Sequence, residues 1–222
     1  ITEPNIFSGV KHVLVAGEAF PEQLAKERRS MYSGSIYNMY GPTETTVFST
    51  WAEVSDGQKI NIGRPIDNTQ VYVTDREQKL VPNGVVGELC ISGDGLARGY
   101  LNNTVLTAER FVENPIEGVS RWYRTGDLVK QMGDGTLYYL GRMDDQVKIR
   151  GYRIELGEIE QKLESHSAVS QAYVIAVGEG YEKELCAYFI RNSEIEINEI
   201  REFLEAKLVD YMVPSYFVEV ES

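Results

Sequence analysis

The chain has 222 residues, 42% hydrophobic and 25% charged, with 22 Lys+Arg against 34 Asp+Glu for a net charge of −12. This is globular composition, enough for one large or two modest domains, and such acidity argues against nucleic acid as a partner. No apolar run approaches the ~20 residues of a membrane span, so no membrane partner is expected. With only Cys90, Cys186, His12 and His166, disulfide frameworks and Cys- or His-rich metal sites are excluded, and a reducing cytoplasm is the simplest location.

Ile1 is not a start methionine, and the chain stops at Ser222 just after a strand-like alternation from Tyr216 to Val220. Both ends read as cut from a longer polypeptide. Lys11 to Ala16 predicts a short buried strand ending at Gly17, and Pro21 suits the first turn of a helix through Leu24 and Arg28. Ile36 to Tyr40 predicts a second strand, stopped by Gly41-Pro42. From Gln70 the pattern becomes β-rich. Strands are predicted at Val71–Val73, Val86–Ile91, Trp122–Lys130 and Thr136–Leu140, with turns at Pro82-Asn83-Gly84 and Gly133-Asp134-Gly135. Thr104 is the expected cap of one short helix there.

After Gly151, Leu156, Ile159 and Leu163 share a helical face, Val169–Val177 and Leu185–Ile190 read as strands, and Asn198 is the expected cap of a helix with the stripe Ile200, Phe203, Leu204 and Leu208. The fold class expected is therefore α/β and α+β. Residues 1–143 form a core portion, with an α/β segment to about residue 65 and then a β-rich, barrel-like segment from about 66. A small α+β domain follows over 144–222. The boundary falls where Arg142 to Asp145 interrupts two β stretches.

Three features carry chemistry. Asn38-Met39-Tyr40-Gly41-Pro42-Thr43-Glu44 runs from a strand into a turn bearing a hydroxyl and a carboxylate, groups that suit a phosphate with its Mg²⁺. By spacing alone, a plain Gly-Pro turn with a helix start is the stronger reading. Tyr123-Arg124-Thr125-Gly126-Asp127 places an Asp after a Gly turn, where it suits either two ribose hydroxyls or an Asx turn. Arg142, Lys148, Arg150 and Arg153 form a basic cluster in an acidic region, suited to a small anion or to surface pairing with Asp144, Asp145 and Glu155. The glycines of Gly87 to Leu101 read as turns and packing, since no Gly-Lys-Ser/Thr follows.

Taken in order, these strings resemble the adenylate-forming superfamily, and within it the amino-acid-activating adenylation domains of nonribosomal peptide synthetases. The carrying segments are Asn38–Glu44, Gly87–Leu101, Tyr123–Leu128, Tyr211–Pro214 and above all Gly141–Glu160, which reads GRMDDQVKIRGYRIELGEIE. The resemblance spans nearly the whole chain and implies a ligase using ATP (AMP) and Mg²⁺. In such a ligase the amino-acid carboxylate attacks the α-phosphorus, releasing pyrophosphate. The phosphopantetheine thiol of a peptidyl carrier protein then attacks the activated carbonyl. Neighbouring synthetase domains and a place in antibiotic, secondary-metabolite synthesis are implied with it.

By matching positions, the resemblance implies that Tyr40 stacks on adenine, with Asn38 at its amino edge and Gly17, Glu18 and Ala19 on its other side. Thr43 would bond the α-phosphate, Glu44 the metal, and Asp127 the ribose, with Tyr139 and Arg142 beside it. Thr43, Glu44, Arg142 and Lys148 form the implied catalytic set, Asp144 the hinge, and Lys148 and Gly151 a loop used in the second reaction. The family's phosphate loop, its amino-group Asp and its downstream Gly-Lys lysine do not occur in this chain, so the chain alone is expected not to complete adenylation. Leu14, Ala16, Met39, Val47 and Phe48 would line the side-chain pocket. All five are apolar, which implies an aliphatic amino acid, Leu-like first, although Leu14 and Val47 also read as ordinary strand core. Two alternatives stand beside this reading: an acyl- or aryl-CoA ligase of the same superfamily, and a non-catalytic fragment that docks a carrier protein.

Overall fold

The computed structural model describes residues 9–55, 57–116, 121–178 and 180–220. Ile1 and Ser222, on which the reading of cut ends rests, lie outside the described residues. The chain divides into two compact units, Ile1–Met143 and Asp144–Ser222.

The first unit opens with β1 (His12–Val15), α1 (Glu22–Met31) and β2 (Ser35–Tyr40). A helix between two strands lets β1 and β2 pair in parallel, with Leu14 opposite Tyr37 and Val15 opposite Asn38. Side chains alternate across the sheet. Ile36 therefore packs with Phe20, Ala25, Tyr32 and Val54 in a small core that includes α1, while Leu14, Tyr37 and Met39 share the opposite face. β3 (Thr50–Glu53) and β4 (Arg64–Pro65) extend this sheet antiparallel, giving the order β1-β2-β3-β4.

The remainder of the unit is antiparallel and curled: β5 (Thr69–Thr74), β6 (Val86–Gly93), β7 (Phe111–Glu113), β8 (Arg121–Gln131) and β9 (Leu137–Arg142). Its order is β5-β6-β8-β7, with β9 also paired to β8. Leu89, Ile91, Val129 and Leu137 fill its core. The two sheets are tied by backbone bonds from Ile62 N–H to Leu137 O at 2.9 Å and from Leu137 N–H to Gly63 O at 2.8 Å. That tie brings the end of β2 toward the middle of β8. The short helix α2 (Thr104–Arg110) is capped by Asn103 rather than Thr104, because the Asn103 Oδ1 reaches the Leu106 N–H at 3.0 Å.

The second unit starts with the hairpin β10 (Val147–Ile149) and β11 (Tyr152–Ile154). Arg150 and Gly151 turn it, both with positive φ (52° and 82°), as a two-residue hairpin loop of matching twist requires. Then come α3 (Leu156–Glu164), β12 (Val169–Val177), β13 (Glu184–Arg191), α4 (Ile197–Glu205) and β14 (Tyr216–Glu219). β12 and β13 pair antiparallel, and β14 joins β13 in parallel. Asn198 lies inside α4 instead of capping it. The start is a capping box in which the Glu199 carboxylate accepts from the Glu196 N–H at 3.3 Å, since a Glu at the third helical position can fold back on the cap.

Ile159, Leu163, Ile200 and Leu204 are fully buried against Val174, Ala187 and Phe189. Among the described residues no helix is long and apolar enough to cross a membrane. Leu204→Ala removes an isopropyl group from that closed core and should destabilise the 144–222 unit by ~2–5 kcal/mol. Amide-exchange protection in β12 and β13 reads this directly; unchanged protection there would contradict the packing described.

Candidate functional site

β1 and β2 are parallel neighbours, so the segments after them leave from the same carboxyl edge of the sheet, the usual place for ligand groups. Gly17, Glu18 and Ala19 follow β1, with Gly17 and Ala19 exposed. Gly41 to Glu44 follow β2. Gly41 has no room for a side chain, because a Cβ there would meet Val47 O at 2.5 Å and Ser49 N at 2.8 Å. The chain folds back tightly on itself at this point, and the Ser49 N–H bonds Tyr40 O at 2.7 Å.

Within that loop Thr43–Thr45 makes one 3₁₀ turn. Thr43 is exposed and Glu44 buried. Thr46 and Val47 both have positive φ (61° and 68°), which is strained for β-branched residues. The turn is held from outside by the loop after β6: the Ala97 N–H donates to Glu44 O at 2.9 Å, and the Thr46 hydroxyl donates to Gly95 O at 2.7 Å.

The Glu44 carboxylate faces two phenols. Tyr100 and Tyr123 each donate a hydroxyl to its Oε1, at 2.7 and 2.8 Å. Tyr123 on β8 is fully buried. Burial raises the Tyr100 hydroxyl above the ordinary phenol range, and its bond to Glu44 adds to this. Tyr100 therefore stays a donor, which orients the carboxylate.

Four residues further along β8 stands Asp127. Its Oδ2 accepts the Tyr40 hydroxyl, and its Oδ1 pairs with Arg142 Nη1 at 2.9 Å, both ion-pair side chains being 11% exposed. The same Nη1 donates to Thr125 O at 3.0 Å. The Tyr139 and Tyr40 rings are tilted with centroids 6.4 Å apart. Tyr40, Asp127, Tyr139 and Arg142 are thus brought together, and β8 carries both Asp127 and the Tyr123 that holds Glu44. Asn38 is buried, and its amide donates to Asn61 O at 2.7 Å.

The apolar set is more open. Leu14 is 56% and Val47 61% exposed, so neither is core. Met39 lies opposite Trp51, on the sheet face that also carries Leu14 and Tyr37. The residues of the basic cluster fall in both units. Arg142 belongs to the Asp127 pair. In the second unit Arg150 lies 3.6 Å from Glu184, and the Arg153 Nε donates to Gln146 Oε1 at 2.6 Å. Lys148 sits on β10 opposite Arg153, and the Asp144 Oδ1 accepts from the Gln146 N–H at 3.4 Å.

Several participants are not apparent from motif spacing: Tyr100, Tyr123, Thr125, Arg124 and Glu88. All lie inside strings quoted above. The available signal was a charged residue, Glu88, entering the apolar run Leu89-Cys90-Ile91. Among the described residues no group of three or more His, Cys, Asp and Glu could hold a metal.

Two family models match this chain, AMP-binding enzyme over residues 2–101 and AMP-binding enzyme C-terminal domain over residues 158–222. The chain belongs to the AMP-binding enzyme family. It is 46% identical over 221 residues to gramicidin S synthase 2 of Brevibacillus brevis, covering 98% of this chain and 5% of that protein. It is 49% identical over 215 residues to bacitracin synthase 3 of Bacillus licheniformis, covering 96% of this chain and 3% of that protein. The chain therefore spans a small fraction of the curated relatives it matches. Among solved structures it is similar to the Vibrio cholerae adenylation domain AlmE in complex with glycyl-adenosine-5′-phosphate, with a TM-score of 0.89 and 27% identity over 99% of this chain and 43% of that one. It is also similar to NpsA-ThdA, a fused adenylation-PCP di-domain from Klebsiella oxytoca, with a TM-score of 0.79 and 27% identity over 94% and 40%.

Burial raises the Tyr40 hydroxyl well above its ordinary range, the Asp127 charge adding to it, and burial pushes the Cys90 thiol up to about 12. Both protons are retained in the folded chain where the unfolded chain releases them, from pH ~8.5 for the thiol and ~10 for the phenol. The folded state then binds more protons than the unfolded one, so the contribution of these two groups to stability is full below pH ~8.5 and falls as pH rises. Urea unfolding at pH 7, 9 and 11 should show that decline. Tyr40→Phe should reduce the part that begins near pH 10, and an identical profile in the variant would contradict the assignment.

Proposed function

We propose that the chain is the C-terminal portion of an amino-acid-activating adenylation domain of a nonribosomal peptide synthetase. The observation that carries the reading is the convergence of the Tyr40 hydroxyl and the Arg142 guanidinium on Asp127, in the unit that also holds the Thr43–Glu44 turn. An aromatic face, a fixed carboxylate and a hydroxyl–carboxylate turn are what an adenine, a ribose and a phosphate require. The likeness to a domain solved with an aminoacyl-adenylate supports the same ligand class.

In this reading Tyr40 stacks on the adenine, with Gly17, Glu18 and Ala19 across from it and Asn38 at its edge. Asp127, paired with Arg142, accepts the ribose hydroxyls, Tyr139 lies beside it, and Thr43 donates to the α-phosphate. Glu44 would hold Mg²⁺, which supplies neutralisation of phosphate charge. A single oriented carboxylate suits an ion that completes its shell with substrate oxygens and water. Catalysis by this chain's residues is positioning and charge compensation at phosphorus.

The amino-acid carboxylate attacks the α-phosphorus of ATP and pyrophosphate leaves. A carrier protein's phosphopantetheine thiolate then attacks the carbonyl carbon and AMP leaves. Asp144, first residue of the second unit, is the proposed pivot between the two steps, and Lys148 serves the second. A cytoplasmic protein working beside other synthetase domains in peptide antibiotic synthesis fits this reading. Leu14, Ala16, Met39, Val47 and Phe48 form the proposed side-chain pocket, for an aliphatic amino acid. A charged side chain would be left there without a partner.

The test uses the full-length protein and amino-acid-dependent exchange of pyrophosphate into ATP. Exchange should be greatest with Leu or a similar aliphatic acid, and residues 1–222 alone should give none. Tyr40→Ala should raise KM for ATP ~10–100-fold, the loss of one stacked base, and leave KM for the amino acid unchanged. Preference for Lys, Asp or Glu would overturn the pocket, exchange by residues 1–222 alone would overturn the proposed incompleteness, and an unaltered KM for ATP would overturn the role of Tyr40.

A further inference from the structure

The β6–β8 ladder is broken beside Asp127. Glu88 pairs with Leu128 and Cys90 with Arg124, two steps on β6 against four on β8, so Thr125, Gly126 and Asp127 bulge from the strand. Gly126 takes a φ of 72°, which a glycine reaches without strain. Each polar group described on the bulge has a fixed partner. The Thr125 hydroxyl donates to Leu89 O at 2.7 Å and accepts the Asp127 N–H at 3.0 Å. Gly126 O accepts the Met143 N–H at 2.8 Å.

The Gly126 N–H, at the bulge's apex, is taken by Glu88 Oε1 at 3.1 Å. The other oxygen of Glu88 accepts Arg124 Nε and Nη2 at 3.1 and 2.8 Å. Glu88 is only 3% exposed, while the Arg124 side chain is 26% exposed.

A buried charge pair is a poor device for stability alone, since apolar residues of like volume commonly serve as well or better. Its distinctive property is direction: one carboxylate bridges a guanidinium and one particular backbone N–H. We propose that Glu88 is a positioning residue that, through Gly126 N–H and Arg124, fixes the β8 bulge aiming Asp127 at the nucleotide sugar. The proposal rests on the reading of Asp127 as the ribose acceptor. It accounts for a charge inside an otherwise apolar strand and for the fixed path of the bulge that carries Asp127 between Tyr40 and Arg142.

The test is sugar selectivity in the full-length protein: the ratio of KM for 2′,3′-dideoxy-ATP to KM for ATP in pyrophosphate exchange. A general loss of structure scales both nucleotides alike, whereas a misdirected Asp127 lowers the ratio. Asp127→Asn should lower it strongly. Glu88→Ala should lower it ~10-fold, Glu88→Gln less, because the amide oxygen still accepts the Gly126 N–H, with KM for the amino acid unchanged in both. Thr125→Val, which leaves the buried charges in place, should lower it as well and covers the case in which Glu88→Ala does not fold. A wild-type ratio in Glu88→Gln and Thr125→Val, with Asp127→Asn still deficient, would overturn the role of Glu88 and leave the ribose reading standing. A wild-type ratio in Asp127→Asn would overturn both.

Discussion

The first unit is organised around one carboxylate. Asp127 accepts the Tyr40 hydroxyl from the mixed β1–β4 sheet and the Arg142 guanidinium from β9, so it joins the two sheets of the unit by charge and hydrogen bonding. A carboxylate this enclosed is tolerable only because a cation and a donor compensate its lost hydration. Removing either partner leaves a buried charge and releases the sheet edge it holds. The candidate site is therefore a structural junction before it is a binding site, and substitutions there affect stability and ligand affinity together.

A similar arrangement recurs at Glu44. Its Oε1 accepts two phenolic hydroxyls, from Tyr100 in the loop after β6 and from Tyr123 within β8. Each carboxylate of the site thus sits on a turn or bulge and is aimed by groups on the antiparallel sheet. β8 contributes to both, through Tyr123 and through Asp127 itself. Because the strand is buried along most of its length, it provides a rigid frame on which the two acidic groups keep a constant spacing. A site built on such a strand holds its geometry better than one built from loops alone.

What could be read in advance follows the range of the interactions. Local patterns identified α1 and β2, the long strands β6 and β8, the stripe of α4 and the position of β1, because period and turn chemistry are properties of neighbouring residues. β1 is not buried as expected, His12 and Leu14 being exposed. The helix starts at Asn103 and Glu196 were misplaced by one or two residues, since Asn103 and Thr104 are both good caps and only geometry chooses. The roles proposed for Tyr40 and Asp127 rest on a resemblance, because the spacing of each motif fits a plain turn as well or better. Glu88, Arg124, Tyr100 and Tyr123 were not apparent as site residues, because their partners lie 36 to 79 positions away. β3, β4 and the β10–β11 hairpin were too short for a periodic signal. Of the basic run from Arg142 to Arg153, Arg142 lies in the first compact unit and Lys148, Arg150 and Arg153 in the second.

The loop that carries Thr43 and Glu44 shows how tightly this site is specified. Two consecutive β-branched residues, Thr46 and Val47, adopt left-handed backbone, a conformation that costs roughly 1–3 kcal/mol per residue. Such cost persists only where surrounding bonds over-determine the path. Here the Thr45 and Ser49 hydroxyls meet at 2.6 Å, the Ile66 N–H closes on Ser49 O at 3.0 Å, and Gly95 and Ala97 hold the outer edge. A relaxed loop would let Glu44 swing from Tyr123 toward solvent. The strain is thus the consequence of holding one carboxylate inward, with Thr43 exposed while the acid of Glu44 is buried and braced by the hydroxyls of Tyr100 and Tyr123.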